Sequence, residues 1–257
     1  MLKTTIEDQI LIANLDNGKT NSFTKETLEK LKHALDQVKK NEKIKGLILT
    51  GNGRFFSSGF DLYTFMNFKD TDEVKSFLKY ADEVLVDFFV CPKPVICAMN
   101  GHTVAGGLIF AMAADFRIST DHPKIKIGMS EIKIGVPLSI AQNAIMKFGF
   151  DSHKKFRDIM YFGELMNVTK ALEKEIIDKS VKAEELINKA KSIISLWVDN
   201  PGDSFCWIKK ELKQSTSEYI KKRLKNLKDN DYNDVFKCFF DKEVKQTLAF
   251  VQSSMEK

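Results

Sequence analysis

Four cysteines in 257 residues, Cys91, Cys97, Cys206 and Cys238, form no CxxC pair and have no histidine at zinc-finger spacing. That speaks against a disulfide framework or a zinc module and for buried or incidental thiols in a reducing compartment. No run reaches the roughly 18 apolar residues a membrane-spanning helix needs, and Met1-Leu2-Lys3-Thr4-Thr5-Ile6-Glu7 has no apolar signal region. Neither secretion nor membrane spanning is expected, so a cytoplasmic protein is the default. Internal repeats, low-complexity linkers, metal-ligand clusters, Ser-His-Asp arrangements and nucleotide fingerprints are all missing, and no metal is expected. The net charge is only +5, and Lys221-Lys222-Arg223-Leu224-Lys225 reads as a solvated helix face, so no nucleic-acid partner is expected. A mild positive excess would suit a ligand carrying several phosphates.

What is present is ample apolar content, 43%, enough for a substantial core. Ile10-Leu11-Ile12-Ala13-Asn14-Leu15 reads as a first strand, followed by the turn Asp16-Asn17-Gly18-Lys19. Ser22 or Thr24 can cap a helix in which Leu28, Leu31, Leu35 and Val38 recur at helical spacing. A strand at 47–49, a helix over 72–89, a strand at 93–100 and short strands at 116–120 and 125–128 follow. This alternation predicts an α/β core. From Ser139 onward the chain reads as wholly helical, and Pro201-Gly202 marks a break between a core of 1–200 and a C-terminal helical region of 201–257.

Three segments carry chemistry. Ala105-Gly106-Gly107-Leu108-Ile109-Phe110-Ala111-Met112 reads as a tight turn opening a buried helix. Such an opening leaves backbone N–H groups unpaired at the positive end of the helix dipole, and glycine lets a ligand approach them. The geometry suits a developing oxyanion. Upstream lies Arg54-Phe55-Phe56-Ser57-Ser58-Gly59-Phe60-Asp61-Leu62, after the turn Gly51-Asn52-Gly53. Downstream, Ile127-Gly128-Met129-Ser130-Glu131-Ile132-Lys133-Ile134-Gly135-Val136-Pro137 sets one carboxylate among apolar residues. Desolvation by Gly128, Met129, Ile132 and Ile134 should raise its pKa towards working pH, unless Glu131 caps a helix or pairs with a lysine such as Lys133.

In their order and spacing these segments resemble the crotonase, or enoyl-CoA hydratase/isomerase, superfamily, from about Ile10 to the C-terminal helix and most sharply over 46–137. The resemblance implies a crotonase fold, a spiral of ββα units with a C-terminal helical region that serves as lid and trimer contact. It implies that the carbonyl of an acyl-CoA thioester lies between two backbone donors, placed at Ser58 and Gly106, with Glu131 as acid/base. Hydratases of this family use a second glutamate; its position here is Ile109. One glutamate suffices to move a proton from C2 of a 3-enoyl thioester to C4, so the pattern points to a Δ3,Δ2-enoyl-CoA isomerase. Hydratase, decarboxylase or thioester hydrolase chemistry, or acyl-CoA binding without turnover, remain alternatives.

The resemblance assigns Lys19, Ser57, Asp61 and Phe250 to the CoA side, Phe250 against CoA on an adjoining subunit. Asp61 and Asp115 are also expected to hold loops and strands by hydrogen bonds, and His102 to be a strand-end residue. No cofactor is implied beyond the coenzyme A of the substrate. A homotrimer or a dimer of trimers is expected, with the amphipathic stretch 235–251 as the contact. Phe55, Phe56, Phe60, Phe65, Met66 and Phe68 could line an acyl pocket or form core, and the sequence does not separate the two.

Overall fold

A computed structural model describes residues 1–226 and 236–256. In chain order it contains β1 (Leu2–Glu7), β2 (Ile10–Leu15), α1 (Lys25–Lys40), β3 (Gly46–Gly51), β4 (Phe55–Ser57), α2 (Leu62–Met66), α3 (Thr71–Phe89), β5 (Val95–Met99) and β6 (His102–Val104). These are followed by α4 (Gly106–Ala113), β7 (Phe116–Thr120), β8 (Ile127–Gly128), α5 (Glu131–Ile134), α6 (Ile140–Phe148), α7 (His153–Phe162) and β9 (Leu165–Met166). The last elements are α8 (Val168–Glu173), β10 (Lys179–Val181), α9 (Leu186–Val198), α10 (Ser204–Lys225) and α11 (Lys242–Glu256).

Two sheets organise the chain. The larger has the order β1-β2-β3-β5-β7-β10, antiparallel at β1/β2 and parallel elsewhere. The smaller runs β4-β6-β8-β9, parallel except at β8/β9. Strand periodicity divides the core. Leu47, Leu49, Val95, Cys97 and Met99 point to the main cluster with α1, α3 and α4. Ile48, Ile96, Ala98 and Ile118 point the other way, onto Leu186, Ala190, Ile193 and Ile194 of α9. Strands buried on both faces need unbroken apolar runs, which is what β3 and β5 have.

Of the two candidate caps it is Thr24 that starts α1, its hydroxyl accepting the Thr27 N–H at 3.2 Å. The break at 201–202 lies between α9 and α10. Two expectations need correction. The chain beyond Ser139 is not wholly helical: β9 and β10 interrupt it. They are two and three residues long, too short to show a period, and exist because β8 and β7 offer them partners. The strand expected over 125–128 is confined to Ile127–Gly128. The stretch 235–251, expected as the contact between subunits, consists of two pieces among its described residues. Val235 lies outside the described residues, Lys237–Phe240 is a 3-10 turn, and Asp241 restarts the helix by accepting the Glu243 N–H at 2.8 Å. Among the described residues no helix is long and apolar enough to cross a membrane.

Candidate active site

The glycine pair opens α4 because two backbone segments meet there without side chains between them. A Cβ on Gly107 would lie 2.5 Å from the Ser57 carbonyl oxygen, and one on Gly106 would lie 3.1 Å from the Phe60 nitrogen. Gly59, at φ +98°, completes the contact: a Cβ there would be 2.7 Å from the Gly106 nitrogen. Ala105, just before the helix, is held at φ 53°, a conformation that is costly for a residue with a Cβ. Its N–H donates to the Gly128 carbonyl at 3.0 Å, tying the turn to the strand that leads into Glu131.

This packing decides which N–H groups are available. Gly106 is the first residue of α4, so its N–H has no intrahelical acceptor. Phe60 forms a parallel bridge with Phe23. In that bridge the Phe23 N–H donates to the Gly59 carbonyl at 2.8 Å, and the Asp61 N–H donates to the Phe23 carbonyl at 3.2 Å. The bridge uses groups on residues 59 and 61, so the N–H of Phe60 points away from Phe23, to the side where Gly106 lies. Among the described residues neither the Phe60 nor the Gly106 N–H is hydrogen-bonded. Ser58 is different. Its N–H is taken by the Thr20 carbonyl at 2.9 Å, so it cannot serve as the expected second donor. The free pair is Phe60 and Gly106.

Both residues line a cavity of about 250 Å³. Glu131, the first residue of α5, also lines it and is 7% exposed. One carboxylate oxygen accepts the Ser130 N–H at 2.9 Å. Burial pushes the Glu131 pKa up to about 7 from an ordinary 4.5, and the backbone N–H groups of Glu131 itself and of Ser130 offset only part of the rise. Among the described residues Glu131 pairs with no lysine, Lys133 included. Met129 and Ile134 contribute to its burial, but Ile132 does not: it is 55% exposed, on the outer side of the short helix. Of the lining residues Glu131 is the one carboxylate, and Ile109 is apolar, buried and part of the same wall.

The cavity has two characters. One side is apolar: Leu78 of α3, Phe65 of α2, Ile134 and Val136, with Val251 and Met255 from α11. The C-terminal region therefore completes the site. The other side is basic, with Arg54, His102 and Lys126 at the entrance to the small sheet. The Arg54 guanidinium lies 5.2 Å from the centre of the Phe55 ring, which packs 4.9 Å from the His102 ring. His102 begins β6, and its Nδ1 accepts the Lys126 N–H at 3.0 Å. Burial, then the charges of Arg54 and Lys126, hold its pKa below the usual histidine value. Among the described residues no carboxylate pairs with Arg54 or Lys126.

The residues assigned to the CoA side are dispersed. Lys19 is exposed in the turn next to Thr20, and Phe250 is 72% exposed on α11, one residue from Val251. Ser57 is fully buried; its hydroxyl donates to the Asn21 carbonyl at 2.8 Å and accepts the Gly59 N–H at 3.1 Å. Asp61 caps α2, accepting both the N–H and the hydroxyl of Thr64 at 2.8 Å. These two side chains hold their loop and do not line the cavity, which corrects their assignment to ligand binding. Of the aromatic cluster, Phe55, Phe60 and Phe65 line the cavity, whereas Phe56 and Phe68 are core and Met66 packs against it. Sequence reasoning offered Phe60 only as a pocket aromatic and missed its backbone N–H as a donor, and it missed Gln142, a buried amide on α6 that also lines the cavity. No local signal marks either of them, since both depend on contacts between distant segments.

Known proteins resemble the chain in sequence and in fold. A family model described as enoyl-CoA hydratase/isomerase matches residues 5–252. The chain is 25% identical over 217 residues to the mouse mitochondrial protein named enoyl-CoA delta isomerase 1, covering 83% of this chain and 74% of that one. It is 26% identical over 195 residues to a probable enoyl-CoA hydratase of Bacillus subtilis (strain 168), covering 76% and 74%. Among solved structures, human mitochondrial delta3-delta2-enoyl-CoA isomerase superposes with a TM-score of 0.89 at 20% identity, over 99% of this chain and 98% of that one. An enoyl-CoA hydratase from Bacillus halodurans gives 0.82 at 21% identity, over 97% and 99%. At these identities the structural likeness speaks for the fold, which is that of the crotonases.

Proposed function

The chain belongs to the enoyl-CoA hydratase/isomerase family, and on that premise we propose that it moves a double bond in an acyl-CoA from the Δ3 to the Δ2 position. The thioester carbonyl accepts hydrogen bonds from the N–H groups of Phe60 and Gly106. Glu131 removes a proton from C2, and the negative charge that develops on the thioester oxygen is stabilised by the two donors. The same carboxyl group returns the proton at C4. A pKa near 7 suits a group that must both take and give a proton at neutral pH. The reaction needs no cofactor beyond the coenzyme A of its substrate.

The observation that carries this reading is the combination of one lining carboxylate, Glu131, with the buried apolar Ile109 at the position a second glutamate would fill. Adding water to a double bond requires activation of the water and delivery of a proton, and a single carboxylate moving one proton is better matched to isomerisation. The basic side of the cavity gives the phosphates of coenzyme A a complementary charge, with Lys19 and Phe250 as further contacts. We also propose a trimer as the working form, because Phe250 on α11 is exposed beside Val251, which lines the cavity. Light scattering at micromolar concentration checks it, and a fully active monomer refutes it.

The deciding assay gives purified protein matched 3-enoyl-CoA and 2-enoyl-CoA esters and scores isomerisation, hydration and hydrolysis separately. Isomerisation should exceed hydration by at least about a hundredfold, or about 2.7 kcal/mol in barrier height. Hydration at an equal rate overturns the reading.

A further inference from the structure

One buried polar side chain on the apolar side of the cavity has no part in the proton transfer. Gln142 lies on α6 and is 4% exposed. Its orientation follows from its bonds. The Ser139 N–H donates to Gln142 Oε1 at 3.1 Å, and only the oxygen of an amide can accept there. The NH2 group is therefore the end left to face the cavity, and among the described residues it donates to nothing.

The support behind it is firm. Ser139 Oγ accepts the Gln142 N–H at 3.1 Å and donates to Asp82 Oδ1 at 2.6 Å, and Asp82 is itself buried on α3. These bonds fix the first turn of α6, so the amide cannot turn away without breaking its cap. A preorganised donor in a cavity that Leu78, Ile134, Val136 and Met255 also line favours a ligand that brings an acceptor to it. A methylene placed there would leave the NH2 unpaired in a dry site, which is unfavourable.

Building on the acyl-CoA reading, we propose that Gln142 is a specificity residue that selects acyl chains carrying an oxygen acceptor, a hydroxyl or a ketone, over wholly aliphatic chains. A site built around a hydrogen bond discriminates strongly against the analogue that lacks it.

The test pairs ω-hydroxy-3-enoyl-CoA esters of graded chain length with near-isosteric esters that end in methyl. Kd and kcat/KM are both measured, on the wild type and on two variants. Gln142→Leu removes the donor, and Gln142→Glu keeps an oxygen for the Ser139 N–H while replacing the NH2 by a second acceptor. At one chain length the wild type should prefer the hydroxylated ester by about tenfold or more. Gln142→Leu should erase that preference, bringing the ratio of kcat/KM for the two esters close to one. Should Gln142→Leu prove unstable, Gln142→Glu decides: a changed preference supports the proposal and an unchanged one overturns it. Absence of a wild-type preference at every length also overturns it. Turnover of methyl esters without any preference refutes the role of Gln142 and leaves the isomerase reading intact. Preference in Kd without turnover does the reverse.

Discussion

Glu131→Gln should make the protein more stable and less active, and both effects should depend on pH. In the folded chain burial raises the Glu131 pKa to about 7, whereas an unfolded glutamate titrates near 4.5. Because the folded value is the higher one, the protonated form carries no penalty below about 4.5. The native state is progressively disfavoured as pH rises towards 7, and above that the cost is constant. The gap corresponds to about 3 kcal/mol. A glutamine at this position has the same shape and never ionises. Urea unfolding of the two proteins should therefore coincide near pH 4 and diverge to about 3 kcal/mol in favour of Glu131→Gln by pH 8. Asp82 also has a pKa raised to about 7 by burial, but it is present in both proteins and cancels in the difference. Wild-type kcat/KM should fall about tenfold per pH unit below 7, since the base must be ionised to accept a proton. Glu131→Gln should lose about 10²–10⁴-fold in turnover while still binding CoA esters. A stability difference that is flat across this pH range would show that Glu131 is not buried without a partner and would refute the reasoning.

Gly107→Ala puts a methyl 2.5 Å from the Ser57 carbonyl and pushes α4 away from the Phe60 segment. Loss of donor alignment should lower kcat by about 10²-fold or more, seen in steady-state assays of protein whose circular dichroism is unchanged. Asp115→Ala removes the carboxylate shared by Lys209 at 2.5 Å and Lys213 at 2.7 Å, leaving two buried ammonium groups without a counter-charge. Urea titration should show a loss of about 3–5 kcal/mol. Ile109→Glu should give only a slight gain in hydration, because an unpartnered carboxylate in that wall takes up a proton. Hydration rates on 2-enoyl-CoA check it, and a gain that matches isomerisation would show that the wall tolerates a second ionised group.

Much of the site was legible because its constraints are local. The glycine pair, the apolar run after it and the lone carboxylate before Gly135 are short-range patterns with direct physical meaning. The donor opposite Gly106 was misplaced at Ser58 for a long-range reason. Which N–H is free on residues 58–60 is decided by Thr20 and Phe23, more than thirty residues upstream: the Thr20 carbonyl takes the Ser58 N–H, while the Phe23 bridge uses groups on residues 59 and 61 and leaves the Phe60 N–H unbonded. Ile132 was read as part of the wall around Glu131, yet a helix of four residues has an inner and an outer side, and Ile132 lies on the outer. Gln142 could not have been found: a glutamine three residues after a serine reads as a capping box, and only the cavity beside α6 gives its NH2 a second meaning.

The buried charged groups differ in how fully they are matched, and among the described residues Asn14 Oδ1 and Thr120 Oγ1, away from the cavity, are also buried without a hydrogen-bond partner. Lys209 and Lys213 are as deeply buried as Glu131, but they share Asp115 and are further bonded to the carbonyls of Lys93, Phe89 and Ala113. They anchor α10 to the core, each with its charge countered by Asp115. Asp82 is buried as well and is matched by Ser139. Glu131 has backbone donors only, while the Gln142 NH2 and the N–H groups of Phe60 and Gly106 have no acceptor among the described residues, and Ala105 beside them is held at positive φ. A fold selected for stability alone would match these groups as it matches Asp115, because each unpaired one disfavours the native state. On the acyl-CoA reading proposed above, their meeting at one cavity gives the substrate its partners. In that reading the substrate offers an oxygen to two N–H donors and a proton to a carboxylate, and a carbonyl compound with an acidic hydrogen on the adjacent carbon meets both demands together.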